Sequence, residues 1–278
     1  MNIKSLITTS VIALVSASAA QAADVVIPHE TAPVVTAPAF SWTGFYIGAQ
    51  IGGFSSKVEI TNPKTDNKIF DKKDTPNPSG FMGGIYAGSN FDLGNNVILG
   101  VETDAVWADR DDTKPVSSEV IGEANLADFK ATLTKANAKV ASGKEIAKIT
   151  KDDKRTYSHA LKEKWSGATR VRIGFAAADH IMPYVAGGIA YAQLEATDSV
   201  KATEAAGGAE IATAKLFDKT KTFVGYTIGG GVDFAMTDNV LLRAEYRYSD
   251  FGKKSFVKDS NKINYKTNDF RVGVAYKF

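Results

Sequence analysis

The chain has 278 residues and carries 33 basic and 31 acidic side chains, which gives a net charge of +2. Such a balance provides no overall attraction for polyanions, so no nucleic-acid partner is indicated. The sequence contains no cysteine, which excludes disulfides and any thiolate site for metal binding or catalysis. Beyond the N-terminus no apolar run reaches 18 residues, so no transmembrane helix is predicted.

The first 40 residues have the composition of a targeting segment and a linker. A short basic stretch precedes an apolar run from Leu6 to Val15, and the small residues of Ala20-Gln21-Ala22 follow. This order is typical of a secretory signal peptide. We predict that residues 1–22 form the signal peptide, with cleavage between Ala22 and Ala23. Residues 23–40 contain three prolines and show no periodicity, which favours an extended periplasmic linker.

From residue 41 onward, apolar residues alternate with polar or small ones in segments of roughly ten residues. A period of two is that of a β-strand, whose successive side chains point to opposite faces. The predicted strands cover residues 41–55, 80–92, 97–107, 164–177, 183–193, 223–234, 240–248 and 268–278. In the last of them, apolar residues from Phe270 to Phe278 alternate with charged or small ones, which suits one face in lipid and the other in a polar lumen.

The connections between these segments alternate between short and long. Short turns are predicted at residues 93–96, 178–181 and 235–239, and long polar loops at 57–78, 109–163, 195–219 and 250–266. Eight strands with this alternation predict an all-β fold, an eight-stranded antiparallel transmembrane β-barrel over residues 41–278 with short periplasmic turns and long extracellular loops. Aromatic residues near the strand ends would form the interfacial girdles.

The second long loop, residues 109–163, is far longer than an ordinary connection. Apolar residues recur at helical spacing from Leu126 to Val140, so the loop is predicted to be partly helical, with Asn125 as a possible cap. Lys130 to Arg155 contains eight basic and three acidic residues. The loop is either a solvated, variable decoration or a basic docking surface for an anionic ligand.

Charged side chains fall at inward positions of the predicted strands. This lumen charge network consists of Glu102, Asp104, Arg170, Arg172, Asp233, Arg243, Glu245, Arg247, Asp269 and Arg271. Buried charges must be paired, and an eight-stranded barrel has an interior that side chains nearly fill. We therefore predict a plugged polar core, with a narrow channel as the alternative.

No enzyme motif is present, and the three histidines lie in the linker, the second long loop and a short turn. Neither phosphate-binding glycine loops before a helix nor the HExxH and GxSxG patterns occur. The sequence thus predicts a protein that is not an enzyme and that has no metal site and no intrinsic cofactor.

Four motifs together resemble one family: FSWTGFYIGAQIGG after the proline-rich linker, GFMGGIYAG, VGYTIGGGVDFAMTDNVLLRAEYRYSDFG and the closing FRVGVAYKF. They are similar to the major surface outer-membrane proteins of host-associated alphaproteobacteria, which include hemin-binding members. The resemblance implies a cell-surface barrel in the outer membrane of a Gram-negative bacterium, with roles in heme capture, host attachment and envelope integrity. Phe278 resembles the C-terminal signal that the barrel assembly machinery recognises.

The resemblance makes hemin the favoured ligand, and host surface or matrix components possible partners. His159 and Tyr157 are candidate axial ligands of its iron, and Lys154 and Arg155 candidate partners of its propionates. A small porin and a purely structural envelope protein are the alternative functions.

Overall fold

The computed structural model describes residues 40–62, 65, 67–68, 75–256 and 261–278. The predicted signal peptide, residues 1–22, and the predicted linker up to residue 39 lie outside these residues. Within them, no helix has the length and apolar character needed to cross a membrane.

The described chain is almost entirely β-structure. The elements, in chain order, are β1 (Gly44–Thr61), β2 (Ser79–Asp92), β3 (Val97–Val120), α1 (Glu123–Lys135), β4 (Lys139–Val140), a 3-10 turn (Ile146–Lys148), β5 (Lys154–Phe175), β6 (Ile181–Thr203), β7 (Glu210–Ala235), β8 (Val240–Ser255) and β9 (Lys262–Lys277). Eight of the strands pair antiparallel in the ring order β1, β2, β3, β5, β6, β7, β8, β9, and β9 pairs with β1 to close it. The predicted eight-stranded barrel is confirmed.

The barrel is apolar outside and polar inside, because each strand alternates as the sequence predicts. On β1, Ile47 and Ile51 are about half exposed. Tyr46, which precedes Ile47, and Gln50, which precedes Ile51, are buried. On β9, Val272 and Val274 point outward, and Arg271 is buried in the lumen. Large exposed apolar side chains continue around the ring, including Phe81, Ile85, Trp107, Val171, Ile173, Val185, Ile228, Leu242 and Tyr246.

One end of the barrel carries the three short turns, and we call it the turn end. β2 and β3 are joined there by residues 93–96, where Gly94, Asn95 and Asn96 have positive φ of 85°, 52° and 65°. Glycine and asparagine tolerate this left-handed conformation, which is why they form tight hairpin turns. The other two short turns are residues 176–180 and 236–239, and the bounds of all three turns lie within about two residues of those predicted.

At the opposite end, which we call the long-strand end, the predicted loops are largely strands. β6 and β7 stay paired from Ile181↔Phe234 to Thr203↔Glu210, so the loop predicted at 195–219 is reduced to residues 204–209. β3 and β5 likewise stay paired as far as Val120↔Lys154, and only residues 121–153 remain of the loop predicted at 109–163. The loop predicted at 57–78 loses its first residues to β1, and the loop predicted at 250–266 loses residues at both ends to β8 and β9. The outward apolar side chains form a belt around the barrel. At the long-strand end, the strands extend beyond this belt as a wall.

The helix predicted in the second loop is present as α1, but it ends at Lys135, short of the predicted Val140, which lies in β4. Its N-cap is Gly122 with no capping side chain, so the predicted cap at Asn125 is wrong. Phe129 and Leu133 of α1 are buried against the lumen-facing side of the wall formed by β6 and β7. The apolar cluster there comprises Ile121, Phe129, Leu133, Ile149, Val200, Ala202, Ile211, Ala212 and Ala214. Residues 121–153 and this side of the wall form what we call the lobe.

Candidate functional site

Ion pairs join opposite walls of the barrel in the middle of the lumen. β3 and β8 stand four positions apart in the ring of eight strands, so they face each other across the interior. The Glu102 carboxylate of β3 nevertheless accepts a hydrogen bond from Arg243 of β8. It also accepts bonds from Arg170 at 2.6 Å and from Arg172 at 3.3 Å, both on β5. The facing walls of the barrel are therefore in direct side-chain contact at this level.

The remaining carboxylates extend this contact into one connected network. Asp233 accepts bonds from Arg172 at 2.5 Å and from Arg243 at 2.8 Å. Glu245 accepts bonds from Arg170 at 2.9 Å and from Arg247 at 2.8 Å, which links it to the Glu102 group.

The same chain of bonds continues to the last strand. Asp104 accepts bonds from Arg247 at 2.9 Å and from Arg271 at 2.7 Å, and Arg271 also donates to Asp269 at 2.8 Å. All ten side chains predicted for the lumen are thus buried and joined in one network of five carboxylates and five guanidinium groups.

Three tyrosines complete this network, and their role is not apparent from charge pattern alone. Tyr46 donates to Glu102 at 2.8 Å, and Tyr184 donates to Glu245 at 2.7 Å. The Arg172 guanidinium lies 3.8 Å from the Tyr184 ring centroid, and the Arg243 guanidinium lies 4.4 Å from that of Tyr86. Cation–π contacts of desolvated arginines are stabilising. Each of the three tyrosines occupies a lumen-facing position of its strand, and this position is the signal that could have identified them as part of the network.

Apolar clusters lie in the lumen on both sides of the charges. At the turn end, Trp42 and Tyr46 pack with Ile98, Met182 and Leu241. Toward the long-strand end, a second cluster lies inside the barrel and comprises Val58, Leu161, Ala168, Ala190, Ala192, Leu194, Phe223, Phe251, Ile263 and Tyr265. The charge network therefore lies between two apolar layers.

The residues suggested for hemin lie at the start of β5, not in a loop. Arg155, Tyr157 and His159 alternate along the strand and share its lumen-facing side, whereas Lys154 is exposed on the other face. Arg155 donates to Glu119 at 3.1 Å and lies 5.9 Å from the rings of Phe129 and Tyr157, so it belongs to the lobe.

His159 lies apart from Arg155, in the wall of a cavity of about 220 Å³ at the long-strand end, which we call the mouth cavity. Its lining is mainly apolar and comprises Val58, Ile60, Pro76, His159, Ala160, Leu161, Ala196, Asp198, Phe217, Phe256, Asn261 and Ile263. The His159 Nδ1 atom is 2.5 Å from Asp198 Oδ1 on the neighbouring strand β6. Thus the structure separates His159 from Arg155 and places it beside an apolar space.

Four of the eight basic residues from Lys130 to Arg155 pair with carboxylates, and three of these carboxylates lie outside the segment. Lys144 pairs with Glu204 at 2.5 Å, Lys151 with Glu123 at 3.6 Å, and Arg155 with Glu119. Within the segment, Lys148 pairs with Glu145 at 3.0 Å. The excess of positive charge that the sequence shows is thus not presented as one uniform basic surface.

Comparison with known proteins identifies the family to which this barrel belongs. A family model described as "Outer membrane protein beta-barrel domain" matches residues 9–278. The chain belongs to this family. It is 33% identical to a 31 kDa outer-membrane immunogenic protein of Brucella melitensis, over 99% of this chain and 100% of that protein. A 25 kDa outer-membrane immunogenic protein of the same organism is 29% identical, with 99% of each chain covered.

A 22 kDa outer membrane protein of Rhizobium leguminosarum is 27% identical, over 87% of this chain and 80% of that protein. The relatives are thus alphaproteobacterial outer-membrane proteins, and the protein resides in the outer membrane. Their descriptions name no enzyme activity. Among solved structures, Neisserial surface protein A has a TM-score of 0.39 at 17% identity and covers 85% of this chain and 98% of its own. Since long loops of bacterial barrels are extracellular, the turn end faces the periplasm.

Proposed function

We propose that this protein is a surface-exposed structural and binding protein of the outer membrane whose lumen does not conduct ions. The observation that carries the proposal is the contact between facing strands, in which Glu102 on β3 and Arg243 on β8 meet in the middle of the barrel. A small porin would need a water-filled path, and an eight-stranded interior leaves room for little besides its own side chains. The rigid barrel then serves to hold the extracellular wall and the lobe at the cell surface.

Planar-bilayer recording of the purified, folded barrel tests the closed lumen. The wild-type protein should give no stable conductance steps. A variant with both Glu102→Ala and Arg243→Ala removes a facing pair without leaving an unpaired charge and serves to show that an opened lumen is detectable. Defined, reproducible steps from the wild-type protein would overturn the proposal and favour the porin.

We propose hemin binding at the long-strand end as a second function, supported by the position of His159 in the wall of an apolar cavity. An imidazole is a common axial ligand of heme iron. The cavity of about 220 Å³ is smaller than the 300–1,000 Å³ pockets that usually enclose a ligand, so only an edge of the macrocycle would enter it. Tyr157 lies two residues away on the same side of β5.

Hemin titration followed by the Soret band tests this second function. His159→Ala should weaken binding and shift the band, and Tyr157→Phe should change the spectrum if the phenol oxygen is a ligand. His180→Ala is the matched control, because His180 lies in the periplasmic turn beside Phe40, at the opposite end of the barrel. Equal hemin affinities and equal spectra in the His159→Ala variant, the His180→Ala variant and the wild-type protein would eliminate His159 as the ligand.

Attachment to an anionic host polymer through residues 130–155 is not favoured by the geometry. Four of the basic side chains there are paired with carboxylates. Exposed pairs of this kind are weak, but they reduce the net positive field that such a polymer would meet.

A further inference from the structure

The barrel wall is interrupted at the long-strand end, between β7 and β8. Their pairing ends at Tyr226↔Asp250, whereas β7 continues to Glu210 with β6 as its neighbour. Beyond Asp250, a bulge and the left-handed Gly252 (φ 65°) turn β8 aside, so that its last residues pair only with β9. Above this point, no backbone pairing joins β7 to β8 in the described residues, and we call this interruption the gap.

The mouth cavity lies directly behind this gap. Phe217 of β7 and Phe256 of the β8–β9 hairpin line it from the two sides of the gap, and Val58 and Ile60 of β1 line it from across the barrel. The hairpin is held to β7 by a ring contact of Phe256 with Phe223, at 5.5 Å between centroids. Side chains thus bridge the gap, and the cavity behind it has an apolar lining.

Two lysines border the gap on the cavity side of β7. Lys219 and Lys221 share the face of Phe217 and Phe223, and Lys219 is the register partner of Ala196, which lines the cavity. The Lys221 ammonium donates to the Ser255 carbonyl at 2.6 Å, next to Phe256. The Lys219 side chain is exposed and has no carboxylate partner in the part of the chain that the structure describes.

Two other charged groups near Lys219 have partners of their own. Asp198, the carboxylate in the cavity wall, is engaged by His159 at 2.5 Å. Lys215 lies beyond a bulge at Leu216, where it is the register partner of Ser199 on the opposite face of the wall, and pairs with Asp218 at 2.8 Å. Lys219 is thus the cation placed to receive a negative group at the entrance.

We propose that the mouth cavity binds an unbranched alkyl carboxylate, whose tail lies against the apolar lining and whose carboxylate is held by Lys219. An apolar tail gains from leaving water in proportion to the area it buries. A carboxylate gains a charge-assisted hydrogen bond from an ammonium group. The proposal goes beyond hemin binding, which would use the same cavity, because it depends on Lys219 and the apolar lining and needs no iron ligand.

The first test is a chain-length series measured by calorimetry on the folded protein in lipid nanodiscs, with empty nanodiscs subtracted to remove partitioning into lipid. For hexanoate, heptanoate, octanoate and decanoate, affinity should rise about fourfold per added methylene and then level off once the cavity is filled. Ala196→Phe, which places a ring in the cavity, should abolish the rise. Affinity that does not depend on chain length, or that rises equally in this variant, would overturn the proposal.

The second test concerns the head group. Octanoate should bind about tenfold more tightly than octanol, and Lys219→Ala should remove that difference because the charged hydrogen bond is lost. Lys215→Ala is the matched control, being a lysine of the same strand that lies on its opposite face and pairs with Asp218. Equal affinities for octanoate and octanol in the wild-type protein, or equal losses in the two lysine variants, would refute a role for Lys219. Retained heat-modifiable mobility on gels shows that each variant is folded.

Discussion

Replacing Glu102 by glutamine should strongly destabilise the barrel. The Glu102 carboxylate accepts bonds from three arginines and from Tyr46, and its side chain is 2% exposed. The network holds five carboxylates against five guanidinium groups, so the loss of one negative charge leaves an unmatched positive charge in the lumen. Breaking a buried ion pair by removing one partner costs about 3–5 kcal/mol. That is a large part of the roughly 5–15 kcal/mol that stabilises a typical folded protein.

The assay is urea-induced unfolding in lipid vesicles, followed by tryptophan fluorescence and by the gel mobility of unheated samples. Glu145→Gln is the control, because Glu145 pairs with Lys148 at 3.0 Å on the exposed surface of the lobe. Loss of such a surface pair should change the free energy of unfolding by at most about 1 kcal/mol. The double variant Glu102→Gln with Arg243→Met restores neutrality and should be more stable than Glu102→Gln alone.

Two results would refute this reasoning. A Glu102→Gln barrel as stable as the Glu145→Gln control would mean that the lumen charges are solvated and not dependent on each other. A double variant destabilised by the full sum of its single changes would mean that the two side chains act independently.

Three further outcomes are expected. Gly84→Ala should prevent folding, because a Cβ atom there would lie 2.0 Å from the Ala105 carbonyl oxygen. Gly83→Ala is the control and should fold, because the nearest atom to a Cβ at that position is 3.8 Å away. Equal yields of folded protein from the two variants would contradict this expectation. Asp153→Ala removes the acceptor of the Ala205 backbone N–H, so hydrogen exchange should accelerate in residues 121–153 while the barrel strands stay protected. Deleting Phe278 should lower the amount of barrel assembled in cells without preventing refolding in detergent, and normal assembly in cells would remove its role as a signal.

The strands of the apolar belt were predictable because lipid imposes a strict rule on them. Outward side chains must be apolar, and the inner face of a narrow barrel must be polar or small, so Val272 and Arg271 take opposite sides with little ambiguity. The same alternation suffices to bring all ten lumen charges to the inner face. It does not reveal which of them pair, since Glu102 and Arg243 are 141 residues apart and meet only because eight strands close into a ring.

The long-strand end was mispredicted because that rule no longer applies above the belt. Outside lipid the outer face of a strand can be polar, so stretches such as Lys154 to Glu163 lose their alternation and resemble loops. Bulges compound the difficulty: the one between Glu163 and Trp165 moves the inward face from odd to even positions along β5. The pairing of His159 with Asp198 and the cavity beside them depend on that register and could not be derived from spacing.

The lumen charges also explain how a barrel with an apolar exterior selects one strand register. A slip by one residue would turn each inward side chain outward, so that Arg247 or Arg271 would face the lipid. A charge in the hydrocarbon costs several kcal/mol, which makes the slipped pairing strongly unfavourable. An apolar lumen could give equal stability, since hydrophobic replacements of buried ion pairs are often neutral or stabilising. Both faces of each strand would then suit lipid, and nothing would oppose the slip. The network is therefore better understood as a determinant of register than as a source of net stability.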